Sequence, residues 1–334
     1  MHRSLGISGL LIVPHLRIQN ANAISSQMTW GFPAISAFIG AMHALERRLA
    51  RRHPLIFEGV GVICHDFEAQ VTSGGFVKTF NLTRNPIDRD GSTAAIVEEG
   101  RMHLELTLVF GVDGSALDGE DDARAQVAQD IANEIAAMRI AGGSVMPSLP
   151  GQRRPWQRAE LTPIAEQSEE RSKQFKRLRR RWLPGFALVA RDDLLMQRLA
   201  ELREQDPKSS ELDAWLDLSR LNRRSTLVQK TNPQTGVVSE EVQWNRVGPA
   251  GWIVPIPVGY SKLSELYRPG SVVNARDTET SFRFVEGMYS VGEWISPHRL
   301  NDANELLWYP GSDPDVGVYR CCNNYAVPAG TLQH

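Results

Sequence analysis

The first 150 residues alternate between segments with a strand pattern and segments with a helical pattern. Residues 10–18 form an apolar, β-branched run that contains Pro14, which predicts a strand with a bulge or a strand at a sheet edge. Pro33 then precedes a segment in which apolar residues recur every three or four positions, as on the buried face of a helix. These apolar positions are Ile35, Phe38, Ile39, Met42, Leu45 and Leu49.

Four further elements and one irregular excursion follow before residue 150. Residues 56–67 and the alternating segment 102–110 each predict a strand, and helical spacing returns over 121–139. A short run to Met146 predicts a last strand, whereas residues 68–98 have no clear period. The resulting order, βαββαβ, is that of the ferredoxin-like and RRM folds; the wider alternative is another α+β sheet with helices on one face.

The pattern divides the chain into a core and two later parts. Residues 1–190 are predicted to form the ferredoxin-like core, with an irregular arm at 68–98 and a polar, basic insertion at 151–182. A helical elaboration over 191–249 and a β-rich part over 250–334 that packs on the core complete the prediction. Within that last part, prolines in the apolar stretch 251–259 predict that it does not form a central strand.

The composition indicates a globular protein. Hydrophobic residues make up 42% and charged residues 23%, and the apolar runs are too short to cross a bilayer. The cysteines Cys64, Cys321 and Cys322 match neither a disulfide framework nor paired CxxC zinc spacing. Without a signal-peptide pattern, the sequence predicts a reduced, cytoplasmic protein with no membrane partner, no metal and no cofactor.

Charge is nearly balanced overall but uneven along the chain. The 37 Lys and Arg residues against 39 Asp and Glu give a net charge of −2, which argues against a protein that coats DNA nonspecifically. In contrast, residues 171–181 (RSKQFKRLRRR) contain seven basic side chains and no acidic one. On helical spacing Phe175, Leu178 and Trp182 share a face and leave arginines outside. Two interpretations of this segment remain: a surface that binds nucleic acid or an acidic partner, and a helix face that is simply solvated.

Three loops carry side chains suited to a nucleic acid. Amides and hydroxyls in residues 17–30 suit base edges, sugars and phosphates, although such a loop also satisfies its own backbone. Arginines in 80–92 suit phosphates, although plain turn chemistry also explains this segment. Glycines in 139–144 let phosphate approach the backbone, although glycine also ends helices. The predicted binding residues are Arg17, Gln19, Asn20, Asn22, Ser25, Ser26, Arg84, Asn85, Arg89, Arg139, Gly142, Gly143 and Ser144.

Histidines provide the candidates for catalysis. A metal-independent ribonuclease uses such a side chain as a general base. No pair has metal-ligand spacing, and the HxxxH, GxSxG, P-loop and dinucleotide-binding patterns are absent. The residue types favour structural histidines over catalytic ones, although a ribonuclease that uses one of them remains an alternative. The histidines in or beside the predicted strands and first helix are His15, His43, His65 and His103.

A series of long motifs runs through most of the chain. The motifs are RIQNANAISS, TWGFP, FNLTRNP, DRDGSTAAIVEEGR, AMRIAGGS, LPGFALV, GWIVPIP, NARD and GEWISPHR. In this order they resemble the Csy2-type family of type I-F CRISPR–Cas systems. The resemblance extends from about residue 9 to about residue 310 and is weakest at 151–175, at 222–248 and at the C-terminus.

The resemblance implies a non-catalytic protein of the RAMP superfamily with a modified ferredoxin-like or RRM-like core. In that family the 68–98 arm corresponds to a thumb-like device that grips RNA, and residues 139–144 correspond to a glycine-rich loop. The family resemblance also implies that the protein binds the 5′ handle of the CRISPR RNA and pairs with the large subunit of the Csy surveillance complex (the type I-F Cascade). It further implies contact with the repeated backbone subunit and, through the assembled complex, with target DNA in antiviral defence.

Two alternatives remain beside this expectation. One is a RAMP endoribonuclease that processes precursor CRISPR RNA through the histidines. The other is a scaffold that contacts only protein, with RNA held by neighbouring subunits.

Overall fold

The fold is α+β and is built around one large antiparallel sheet. The computed structural model describes residues 3–75, 77–84, 87, 90–93, 96–147, 158–231, 238–246 and 248–327. In its first part the elements are β1 (Gly9–Asn22), α1 (Ile35–Leu49), β2 (Ile56–Ala69), β3 (Val71–Gly74), β4 (Val77–Phe80), β5 (Leu82–Arg84), β6 (Ile96–Glu98), β7 (Arg101–Asp113), α2 (Asp121–Ala136), β8 (Arg139–Ile140), β9 (Gly143–Val145) and β10 (Glu160–Pro163).

Helices and strands alternate less regularly in the second part, where several strands extend the same sheet. The elements there are α3 (Ser168–Arg180), β11 (Phe186–Ala190), α4 (Asp192–Gln205), α5 (Glu211–Ser219), β12 (Arg223–Thr231), β13 (Val238–Arg246), β14 (Trp252–Lys262), β15 (Val285–Ile295), α6 (Ala303–Leu306), β16 (Trp308–Asp313) and β17 (Val318–Asn323). No helix in the described ranges is both long and apolar enough to cross a membrane.

The predicted βαββαβ frame is confirmed. Strands β9, β1, β7 and β2 lie side by side in that order, and each adjacent pair is antiparallel. Helix α1 connects β1 to β2, and α2 connects β7 to the β8–β9 hairpin, as in a ferredoxin-like unit. The arm between β2 and β7 consists of two short strand pairs, β3–β4 and β5–β6. Its role as a thumb stays a prediction.

Alternation along β1 distributes apolar side chains to both faces of the sheet. Leu11 and Val13 point to the main core, where they meet the six predicted apolar residues of α1, all of which are buried. Leu10 and Ile12 point to the opposite face, where Phe175 and the other apolar residues of α3 cover them. The first half of β1 is therefore covered on both faces, which leaves its second half as the place where the outer face opens.

Two irregularities interrupt β1. Its pairing with β7 shifts between Val13 and Leu16 and again between Ile18 and Ala21. His15 and Asn20, which lie within these shifts, have φ values of 53° and 58°. The bulge predicted from Pro14 is thus confirmed, whereas the edge position is wrong, because β7 pairs with one side of β1 and β10 and β9 pair with the other.

Strand β14 confirms the prediction for its proline-containing stretch. The strand as a whole lies between β15 and β17, but β17 pairs with residues 259–261, beyond the prolines. Among the described residues, the stretch with Pro255 and Pro257 therefore has a strand neighbour, β15, on one side only, which is where prolines are tolerated. The β-rich character predicted for 250–334 is seen in β14 and in the strands β15, β16 and β17 that follow it.

Pairing in the second half of the sheet closes into a ring. From β11 the order runs through β15, β14, β17 and β16 to β2, and β11 itself also pairs with β2. Strand β2 therefore belongs both to the ferredoxin-like frame and to the ring. Beside the ring lies a buried carboxylate, Glu293 of β15, which is 1% exposed and accepts hydrogen bonds from Arg191 and Arg299.

Candidate nucleic-acid interface

The open half of the outer face collects several predicted residues in one row. Arg139 of β8 is the cross-strand partner of Ser144 of β9, and Ser144 is the partner of Gln19 of β1. Paired residues in a sheet point to the same face, and these side chains are all exposed. Arg17, two positions before Gln19, lies on the same face. The structure thus brings together four residues from two of the three predicted loops.

Strand β7 supplies the next column of this face. Its residues Arg101, His103 and Glu105 are half-buried and alternate with core residues. Glu105 is the cross-strand partner of Arg17, and Arg101 is the partner of Asn22. Arg101 was missed by sequence reasoning, because only the register between β1 and β7 reveals that it lies beside the predicted residues. Its Nε donates to Glu99 at 2.8 Å.

The glycine motif forms a hairpin turn rather than a helix end. Helix α2 ends at Ala136, and the two residues between β8 and β9, Ala141 and Gly142, have φ values of 49° and 77°. Positive φ at both positions is the geometry of a type I′ hairpin turn, so the helix-cap alternative is wrong. Arg139 donates to the Gly142 carbonyl at 2.8 Å. The Gly143 backbone packs so closely on β1 that a Cβ would lie 2.7 Å from backbone atoms of Ala21 and Gln19.

Much of the polar loop after β1 bonds to itself. Asn22 donates to the Ile24 carbonyl at 2.7 Å and accepts from its N–H at 3.1 Å. The Ser25 and Ser26 hydroxyls each lie 2.7 Å from the hydroxyl of Thr29, which is buried. These contacts match the alternative in which the loop satisfies its own polar groups. The side chains of Asn22, Ser25 and Ser26 are therefore poorer candidates for ligand contacts than those of the strand residues Arg17 and Gln19.

Asn20 differs, because it belongs to a small polar cluster on the exposed face. Its Oδ1 accepts from Nε2 of Gln70 at 2.8 Å, and its backbone N–H donates to Nδ1 of His103. Gln70 lies 3.0 Å from the other ring nitrogen of His103. The cluster therefore fixes the side chain of Asn20 at the second bulge while leaving it accessible.

Two grooves border this face. The first, of about 630 Å³, is lined by Asn22, Arg101 and Gly142 among others. The second, of about 360 Å³, is mainly apolar and meets the first at Pro33 and Ala34. Its half-exposed aromatic side chains come from four separate segments, so only the fold brings them together. They are Trp30, Phe67, Phe186 and Trp252.

The structure says little about the predicted binding residues of the segment 80–92. The backbone of Arg84 ends β5 and pairs with Ile96 of β6. Its side chain, together with Asn85 and Arg89, lies outside the described residues. Their role therefore stays a prediction.

Comparison with known proteins identifies the family. The sequence model described as "CRISPR-associated protein (Cas_Csy2)" matches residues 11–321. The chain belongs to the Csy2 family. Among curated relatives, the CRISPR-associated protein Csy2 of Pseudomonas aeruginosa (strain UCBPP-PA14) is 49% identical over 313 residues, which are 93% of this chain and 94% of that protein. The resemblance found in the motifs is confirmed, and this Csy2-family chain is a component of a type I-F CRISPR–Cas system.

Two histidines meet between the covered and open parts of the outer face. The rings of His15 and His65 stack at 4.3 Å, and Nδ1 of His15 lies 2.5 Å from Glu105. His65 contacts the Pro184 carbonyl through Nδ1 and the Thr107 hydroxyl through Nε2, both at 2.7 Å. The carbonyl accepts only, so His65 carries its proton on Nδ1. His43, on α1, is not part of this cluster.

Within the described ranges of this Csy2-family chain, no group of three or more His, Cys, Asp or Glu side chains is arranged to hold a metal ion. The open face carries arginines, amides and hydroxyls, together with His103 and Glu105. Arginines, amides and hydroxyls bind phosphates, sugars and base edges.

Acid is expected to weaken the folded state through His65. Burial, the largest cause, lowers the pKa of His65 below its ordinary value of 6.5. The unfolded chain then binds more protons than the folded one, so this contribution to stability is complete above pH 6.5 and is lost as the pH falls toward the lowered pKa. Urea unfolding at pH 6.5 and at successively lower pH values measures the loss.

The variant His65→Gln is the control for this loss. All other titratable side chains are the same in both proteins, so the difference between the two pH profiles isolates His65. A variant whose midpoint falls as steeply as that of the natural chain contradicts the assignment.

Close packing at Gly143 predicts a cost for any side chain there. Gly143→Ala forces the β8–β9 hairpin away from the β1 backbone, and the expected loss in the free energy of unfolding is about 1–3 kcal/mol. Gly40→Ala is the matched control, because Gly40 lies on the exposed face of α1 and a Cβ added there meets no atom within 4 Å. Alanine also favours a helix more than glycine does. Urea unfolding measures both. Equal stability of the two variants contradicts the close contact.

Proposed function

We propose that this chain binds single-stranded RNA, the 5′ handle of the CRISPR RNA, on the open half of its sheet face. The observation that carries the proposal is the exposed row formed by Arg139, Ser144 and Gln19, with Arg17 beside it. In RRM-type folds the face opposite the helices is the one that binds RNA. Here α3 covers the first half of that face and leaves the second half accessible.

The chemistry of the face supports a short single strand. Its arginines, Arg17, Arg101 and Arg139, face the carboxylates Glu99 and Glu105, so the local excess is one positive charge. That excess suits a few phosphates rather than a long duplex. Amides and a hydroxyl between the arginines suit base edges and ribose hydroxyls. The adjoining aromatic groove supplies flat apolar surfaces on which unpaired bases stack.

The role in the complex rests on the family. We propose a heterodimer with the large subunit of the Csy complex, contact with the repeated backbone subunit, and access to target DNA through the assembled, cytoplasmic particle. In this role the chain holds the guide RNA and performs no catalysis. The engagement of both ring nitrogens of His65 by Pro184 and Thr107 supports a structural histidine.

The stacked pair His15–His65 beside Glu105 favours one alternative, an endoribonuclease that processes precursor CRISPR RNA. Cleavage by a general base requires at least one of these rings. Loss of processing in a His15→Ala/His65→Ala variant that stays folded supports the enzyme, and unchanged processing removes it.

Co-expression with the neighbouring large-subunit gene and a CRISPR array, followed by sequencing of the retained RNA, tests the proposal. A stable heterodimer enriched in the handle sequence is the expected result. A heterodimer without RNA supports the scaffold that contacts only protein. Cleaved RNA in the absence of the dedicated endoribonuclease contradicts the non-catalytic role.

A further inference from the structure

The β12–β13 hairpin is an isolated, exposed arm. Among the described residues, its strands pair only with each other, along nine residue pairs from Arg223–Arg246 to Thr231–Val238. Every described residue of both strands is exposed. At its base, the hairpin borders a cleft of about 580 Å³ that also contacts α4 and α5. None of the residues that line this cleft lines either groove of the sheet face.

The cleft has a strong excess of positive charge. Its acidic residues, Glu201 and Asp217, already form ion pairs with two of its arginines, Arg198 and Arg220. The other three arginines form no ion pair among the described residues. Five arginines against two carboxylates give a local excess of three positive charges. The three unpaired arginines are Arg223, Arg224 and Arg246.

Two of these arginines lie in an arrangement that an anion would stabilise. Arg223 and Arg246 are direct cross-strand partners, so their side chains leave the same face of the hairpin side by side. Like charges directly opposite each other destabilise a strand pair. A phosphate between two guanidinium groups converts this repulsion into two charge-assisted contacts.

A tryptophan extends the same surface away from the cleft. Trp244 is two positions from Arg246 and therefore lies on the same face, opposite Ser225, and its side chain is 62% exposed. An exposed indole beside arginines is the combination with which proteins hold single-stranded nucleic acids: the bases stack on the ring while the cations follow the backbone.

We propose that this cleft and Trp244 form a second nucleic-acid site, which holds the phosphodiester backbone of a single strand with a base on the indole. It is separate from the sheet face and does not depend on the handle-binding proposal. The phosphodiester backbone is common to guide RNA and to a DNA strand separated from its complement. Oligo(U) and oligo(dT) distinguish these two sources, and duplex DNA tests the preference for single strands.

The test uses the full chain with Arg17→Gln and Arg139→Gln, so that any contribution of these two arginines of the sheet face is absent from every measurement. Fluorescence anisotropy with labelled oligo(U) and oligo(dT) at several salt concentrations measures the affinity and its salt dependence. In this background, the triple change Arg223→Gln, Arg224→Gln and Arg246→Gln is expected to weaken binding tenfold or more. The salt slope should flatten by about 2, since each lost phosphate contact removes about 0.7 for a single strand.

Trp244→Ala separates stacking from charge. It is expected to weaken binding about tenfold with an unchanged salt slope, because it removes a ring and no cation. The matched control changes three exposed arginines elsewhere, Arg47, Arg268 and Arg276, to glutamine and is expected to bind like the parent. Equal thermal midpoints for all variants confirm that the fold is retained.

Three results would overturn the proposal. The first is a triple variant that binds both oligonucleotides as tightly, and with the same slope, as the matched control. The second is a Trp244→Ala variant with undiminished affinity. The third is binding of duplex DNA alone, with no binding of either single strand. Binding of either single strand, RNA or DNA, that depends on the three arginines and on Trp244 supports it.

Discussion

Replacing Arg17 and Arg139 with glutamine is expected to weaken binding of a handle RNA oligonucleotide about a hundredfold. Both guanidinium groups are exposed on the open face, and neither forms an ion pair within the described residues. A hydrogen bond to a charged group contributes about 1.5–3 kcal/mol, which is tenfold or more in affinity for each arginine. The salt slope is expected to flatten by about 1.4, which is 0.7 for each of two phosphate contacts with a single strand.

The control for this pair lies on the other side of the sheet. Arg47 of α1 and Arg51, just beyond the end of that helix, are exposed and change the net charge equally when replaced by glutamine, but α1 packs on the side of the sheet opposite the open face. Filter binding or fluorescence anisotropy measures the RNA affinity of heterodimers that contain the natural chain, the Arg17/Arg139 variant or the Arg47/Arg51 variant. If the α1 variant loses as much affinity as the strand variant, the effect reflects overall charge and the open face does not bind the RNA.

Removing Arg191 is expected to produce the largest loss of stability. Glu293 is 1% exposed, and its carboxylate is held by Arg191 and by Arg299, whose Nη1 donates at 2.9 Å. Arg191→Met keeps the apolar stem but leaves a buried charge with one partner that is itself half-exposed. Breaking a buried ion pair costs about 3–5 kcal/mol, and the remaining arginine places the expected loss near the lower limit. Urea unfolding at neutral pH measures it.

A second substitution distinguishes the charge from the packing. Adding Glu293→Gln to Arg191→Met removes the uncompensated carboxylate and is expected to recover most of the lost stability. Should the double variant be as unstable as the single one, the loss comes from the stem of Arg191 rather than from the buried charge.

Local patterns predicted the frame of the fold well. Every apolar position proposed for α1 is buried, because the helical period depends only on neighbours within two turns. The bulge in β1 followed from Pro14, since a missing N–H disturbs any strand. The same rule held at Pro255 and Pro257, but the sequence around them does not reveal that β14 continues beyond the prolines and pairs there with β17.

The candidate site shows the same limit. Arg17 and Gln19 were found from the polar pattern after the first strand, and Arg139 and Ser144 from the glycine motif. Their arrangement in one row depends on the pairing of β8, β9 and β1, which is long-range. Arg101 had no local signal, and the aromatic groove combines four distant segments.

The ring through β2 links the beginning of the chain to its end. Trp308 of β16 pairs with Val60 of β2, and β17, which follows, pairs with both β16 and β14. The backbone N–H of Arg3 donates to the Tyr309 hydroxyl. During translation the N-terminal half therefore emerges with one edge of β2 still unpaired, and an unpaired edge invites association with other strands. The ring closes only after the last strands have left the ribosome, so the timing of synthesis sets how long that edge needs protection.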